Sequence, residues 1–117
     1  MLAARIAFVG CVLVIAWESL LPPEQIPYGP AVSDKAVHAV GYALLGALAV
    51  VGGLRWLPAV ALATGLGLVL EVAQLMSGYR SFEWADLAAD AAGAAAGALL
   101  VTALVRRSVG GAVSPSS

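Results

Sequence analysis

Charge is scarce in this chain: only 11% of its 117 residues are Asp, Glu, Lys or Arg, too few for a domain of this size to present a water-soluble surface. Aromatic residues are also few, at 7%, which argues against a core built on bulky rings. There is no basic stripe and the formal net charge is −1, so nucleic acid is not an expected partner. One cysteine, Cys11, excludes an internal disulfide and leaves the redox compartment open. It sits in an apolar run and reads as a small packing residue. No H-x-x-x-H or H-E-x-x-H run occurs, and neither a metal nor another cofactor is expected.

What fills the chain is apolar. Hydrophobic residues make up 62% and the mean hydropathy is +0.95, so the bilayer is the expected solvent. Alanine and glycine dominate, which favours thin helices packed closely through small faces. The expected fold class is all-α: a polytopic membrane protein with four transmembrane helices in a small bundle. The spans are expected at about 3–21, 35–54, 57–76 and 85–105, forming one domain over 1–107 with a flexible cytoplasmic tail at 108–117. The first is read as an uncleaved helix, because no small-x-small cleavage site precedes Pro22. Each of the last three is about 20 residues, or ~30 Å at 1.5 Å per residue, the thickness of a hydrocarbon core. Pro22 to Ser33 carries four of the six prolines and reads as a connecting loop.

Against that background the polar residues stand out. Glu71 and Gln74 are three apart near the end of the third span, and Asp86 and Asp90 four apart at the start of the fourth, so each pair shares a helix face. Gly93 and Gly97 continue the face of Asp86 and Asp90, which places the acids on a packing surface. On the second span Lys35, His38 and Tyr42 repeat at helical spacing behind Asp34, and Gly46 prolongs that face. Gly65 and Gly67 give the third span its own close-approach positions.

Four spans put both termini on one side. Arg5, Arg55, Arg106 and Arg107 then fall on that side and Lys35 and Arg80 on the other, which makes the termini cytoplasmic by the positive-inside rule. All seven acids collect at the opposite, outer end. Glu71 and Asp90 are expected ~7 or 8 Å inside the boundary, at 1.5 Å per residue. Carboxylates at that depth must meet each other, a cation or water.

The stretches DKAVHAVGYALLG (Asp34 to Gly46), EVAQ (Glu71 to Gln74) and RSFEWADLAADAAGAAAG (Arg80 to Gly97) together resemble the VanZ-like membrane proteins. The family pattern is roughly D-K-x-x-H-x-x-x-Y, E-x-x-Q and R-x-x-x-x-x-D-x-x-x-N-x-x-G. It is matched here by Asp34, Lys35, His38, Tyr42, Glu71, Gln74, Arg80, Asp86 and Gly93. The departure is Asp90, where the family usually has Asn; an amide donates and accepts without charge, whereas a carboxylate must be protonated or paired to hold the same network. The resemblance implies a small polytopic protein of the bacterial cytoplasmic membrane, in a family whose namesake is associated with resistance to the glycopeptide teicoplanin. It implies no reaction.

Three functions follow from these residues. The first is an accessory or binding protein whose outer-side pocket (Asp34, Lys35, His38, Tyr42, Glu71, Gln74, Arg80, Asp86 and Asp90) engages an envelope lipid or lipid-linked precursor. The second is an intramembrane hydrolase or transferase, its catalytic candidates His38, Glu71, Asp86 and Asp90, with His38 or Glu71 as base and Arg80 or Lys35 stabilising negative charge. No Ser or Cys nucleophile is suitably placed for it. The third, proton or cation movement, suits buried acids but not an inner half without any. The lipid bilayer is the one expected partner throughout; Gly93 and Gly97 leave a homodimer through their face as an alternative use.

Overall fold

In the computed structural model the described residues are 1–20, 34–78 and 84–112. They form four helices: α1 (Leu2–Leu20), α2 (Asp34–Val51), α3 (Trp56–Ser77) and α4 (Trp84–Ala112). Among the described residues there is no strand. The chain is thus a small all-α bundle. The proline-rich loop and Arg80 lie outside the described residues, as do the side chains of Asp34 and Lys35.

Three helices, α1, α3 and α4, are long and apolar enough to cross a membrane. The fourth, α2, has a shorter apolar run, Ala36–Val51, about 24 Å at 1.5 Å per residue. The chain is a multi-pass membrane protein. Its outward faces agree with lipid contact: Ile6, Leu13, Val69, Met76 and Leu100 are all exposed, which in water would be a liability.

Two helix ends depart from expectation. α2 stops at Val51, not 54, because Gly53 takes φ 117° and folds the chain back on itself. Leu54 N–H donates to the Ala49 carbonyl and Gly53 N–H to that of Val50, both at 3.0 Å, the paired bonds of a Schellman ending. α4 runs on to Ala112 and so takes in 108–112, which were expected in the tail. Extending a formed helix adds one hydrogen bond per residue, enough to carry it through small residues of low propensity. Pro58 is harmless in α3 because it falls in the first turn, where its missing N–H has no intrahelical partner.

The bundle centres on α2 and α4, which are not neighbours in sequence and run in the same direction. Their backbones meet through glycine. A Cβ on Gly93 would collide with the Ala39 carbonyl, one on Gly97 with that of Ala43, and one on Gly46 with that of Ala94. Beside this seam Tyr42, Leu45, Ala63 and Ala94 form one buried cluster, and Ala49, Ala59 and Ala98 another. Because the face of Gly93 and Gly97 is filled by α2 within the chain, a homodimer through it would first have to displace α2.

Gly65 and Gly67 differ sharply, although both were expected to serve packing. Gly67 is buried, whereas Gly65 is exposed and a Cβ there meets nothing within 4 Å. A helix that is apolar all round gives periodicity little to distinguish its faces.

The outermost helix is α1, which packs on α2 and α3 and, among the described residues, does not reach α4. A polar clip holds it at each end. Arg5 Nε donates to the Gly52 carbonyl at 2.8 Å, an orphan acceptor at the negative end of α2. At the other end Gln74 Nε2 donates to the Ser19 carbonyl, also at 2.8 Å.

Candidate functional site

The polar residues gather at the end of the bundle away from the termini. It is where α1 and α3 finish and α2 and α4 begin. Glu71 and Asp90 are each 1% exposed, Gln74 2% and Asp86 9%. Their burial follows from the helix faces that carry them: Asp90 is one turn before Gly93 and Ala94 on the seam with α2, and Glu71 is one turn after Gly67.

His38 and Asp90 are joined directly. Nδ1 of His38 lies 3.2 Å from Oδ1 of Asp90, bridging α2 and α4. With the ring proton on Nδ1, the imidazole donates to ionised Asp90 and its Nε2 carries a lone pair. With the proton on Nε2, Nδ1 accepts from protonated Asp90. One proton holds the pair in either form.

The remaining members close around it. Asp90 Oδ2 would be 2.9 Å from a Cβ on Gly67, and the Tyr42 ring 3.4 Å from the same point, so the absence of a side chain at Gly67 makes room for the carboxylate. Tyr42, 1% exposed, lies within electrostatic reach of both Asp90 and Glu71, and its ring centroid is 6.3 Å from that of His38. Glu71 and Asp86 also have interaction partners of their own. Among the described residues no buried side-chain nitrogen or oxygen lacks a hydrogen-bond partner. The layer is a satisfied network, the condition for keeping carboxylates at this depth.

Gly67→Ala should therefore shift Asp90 and cost about 1–3 kcal/mol by overpacking, while Gly65→Ala, pointing into open space, should change stability by less than ~0.5 kcal/mol. Reversible unfolding in mixed micelles, followed by circular dichroism, measures both. Equal values for the two would remove Gly67 from the site.

A slot opens beside the network, between α1 and α2. It has a volume of about 220 Å³ and is lined by Cys11, Val14, Ile15, Glu18, Ser19, Val37, His38, Val40, Gly41 and Tyr42. His38 therefore stands in the slot wall with Asp90 behind it, so the buried acids connect to the slot through the imidazole. Glu18 adds a carboxylate at the rim.

Of the residues expected at the site, the structure joins His38 to Asp90, sets Tyr42 within reach of Asp90 and Glu71, and buries Gln74 and Asp86 at the same end of the bundle. Asp34 opens α2; Arg80 lies outside the described residues. Among the described residues no three His, Cys, Asp or Glu side chains are placed to hold a metal ion. Sequence reasoning missed the Ser19 carbonyl, a backbone acceptor that residue type cannot reveal, and gave Cys11 no place beside the slot.

Comparison with known proteins agrees with the motifs. No curated protein and no solved structure matches the chain. The VanZ/LLP1 family profile, however, matches residues 6–106, reaching into all four helices and taking in every described residue of the polar network, and the chain belongs to that family.

Proposed function

We propose that this protein binds or modulates a component of the cell envelope at the outer side of the bacterial cytoplasmic membrane, through the polar network and the slot beside it. The observation that carries this reading is the position of His38, which faces the slot between α1 and α2 and is hydrogen-bonded to buried Asp90. A pocket for a water-soluble ligand would open at the end of the bundle; this one opens between two apolar helices. At about 220 Å³ it is smaller than the ~300–1,000 Å³ of a whole drug-sized ligand site. It suits a headgroup or a length of acyl chain, the rest of the molecule staying in the bilayer. Termini on the cytoplasmic side follow from the distribution of arginine.

The test uses purified protein and labelled envelope lipids. Wild type should retain an unchanged lipid, and Glu71→Ala should retain it at least ~10-fold less, a loss of about 1.4 kcal/mol. If no envelope lipid is retained above the level of a control bilayer lipid, the binding reading fails.

A second reading, an intramembrane hydrolase or transferase, is favoured by one observation. A carboxylate behind an imidazole nitrogen is the arrangement that orients a general base. It requires water or a carboxylate as nucleophile, and it alone predicts a covalent change in the labelled lipid.

A further inference from the structure

A second cavity lies at the opposite end of the molecule, beside the α2–α3 turn and the later turns of α4. Its volume is about 790 Å³, and its walls include Arg55, Arg106, Trp56, Thr102, Pro58 and Val50. It shares no residue with the polar network and plays no part in the function proposed above.

Its chemistry is of one sign. Arg55 precedes α3 and Arg106 sits on α4, so two basic residues from separate elements line one hollow. Neither makes a hydrogen bond or ion pair with another side chain among the described residues. Among the acids whose side chains are described, Glu18, Glu71, Asp86 and Asp90, none neutralises them, because all four belong to the far end of the bundle. The first turn of α3 adds positive character: no side chain caps it, and the N–H groups of Trp56 and Leu57 lead it beside Arg55, Pro58 having none and that of Ala59 being bonded to the Arg55 carbonyl. Apart from Thr102 the rest of the wall is largely apolar, and Trp56 is of the type that settles at a membrane–water boundary.

We propose that this cavity is a binding site for the phosphate headgroup of an anionic phospholipid from the surrounding bilayer. An arginine can meet phosphate through two parallel N–H groups, a geometry that lysine does not reproduce. Basic pockets between helices at a bilayer surface hold such headgroups while the acyl chains remain in the membrane. Charge complementarity selects the anionic lipid over a zwitterionic one, and the apolar lower wall of Val50 and Trp56 selects a lipid over free phosphate.

The experiment takes the full-length protein in detergent and measures, by native mass spectrometry, retention of phosphatidylglycerol against phosphatidylcholine. Wild type should hold phosphatidylglycerol preferentially. Arg55→Ala and Arg106→Ala should each lower that retention by about 5-fold, the factor corresponding to the ~1 kcal/mol that one basic residue contributes near an anionic surface. Arg107→Ala removes the same charge from outside the cavity and should change it by less than ~2-fold. Circular dichroism checks that each variant retains its helices, and if one arginine variant does not fold, the other decides. Three results would overturn the proposal: equal retention of the two lipids, an Arg107→Ala loss matching that of Arg106→Ala, or displacement of the lipid by inorganic phosphate. The last would identify free phosphate as the ligand.

Discussion

Replacing Gly97 with valine should separate α2 from α4 and cost about 3 kcal/mol or more. A Cβ at this position would run into the Ala43 carbonyl oxygen and the atoms behind it. The obstacle is backbone, so no change of rotamer relieves it, and overpacking costs of ~1–3 kcal/mol apply as a lower bound. To admit the side chain α2 must withdraw, and Gly46 and Gly93 lose their contacts together with Gly97. The strain then reaches the site, because His38 and Asp90 are held at 3.2 Å by these same two helices. Gly10→Val is the control, since a Cβ on Gly10 meets nothing within 4 Å. Reversible unfolding in mixed micelles should show a large loss for Gly97→Val and less than ~1 kcal/mol for Gly10→Val. Similar losses in both would mean that the glycine seam does not hold the bundle.

The second large effect is expected at Asp90, where two substitutions separate stability from chemistry. Asp90→Ala removes the partner of His38 Nδ1 and empties the space against Gly67, at a cost of about 1–3 kcal/mol for the orphaned polar group. Asp90→Asn keeps an oxygen where Nδ1–H can donate, so stability should stay within ~1 kcal/mol of wild type. Function divides the two readings. If the protein only binds its ligand, Asp90→Asn should retain it to within ~3-fold, which corresponds to less than 1 kcal/mol. If the imidazole works as a base, loss of the carboxylate behind it should reduce turnover by ~10²–10⁴-fold, the usual contribution of a positioned acid or base. If the labelled lipid is converted by wild type and Asp90→Asn converts it at an undiminished rate, the pair has no catalytic role.

The helix positions and the grouping of polar residues were legible because a 3.6-residue period survives in any helix whose polar residues are few. Glu71 with Gln74, and Asp86 with Asp90, mark the buried face by their chemistry, and Gly93 with Gly97 extend it. Three things were not legible, each for a physical reason. The difference between Gly65 and Gly67 depends on helix rotation, which an all-apolar sequence does not encode in its hydrophobicity. The end of α2 depends on a left-handed Gly53, where the sequence offers Gly52 equally. The partnership of α2 with α4 depends on spatial order, which short connections between successive spans leave undetermined. The clip from Gln74 to Ser19 was hidden for another reason, since every residue carries a carbonyl.

The pairing of α2 with α4 also bears on how the protein is made. Synthesis delivers α2 to the membrane long before its main partner exists, and α2 has the shortest apolar stretch of the four. Until Trp84 and the residues after it leave the ribosome, the carbonyls of Ala39 and Ala43 have no glycine against them, and His38 lacks the Asp90 carboxylate. Nascent chains arrested before α4 should therefore be the form that quality-control proteases recognise, and maturation should wait on the last helix.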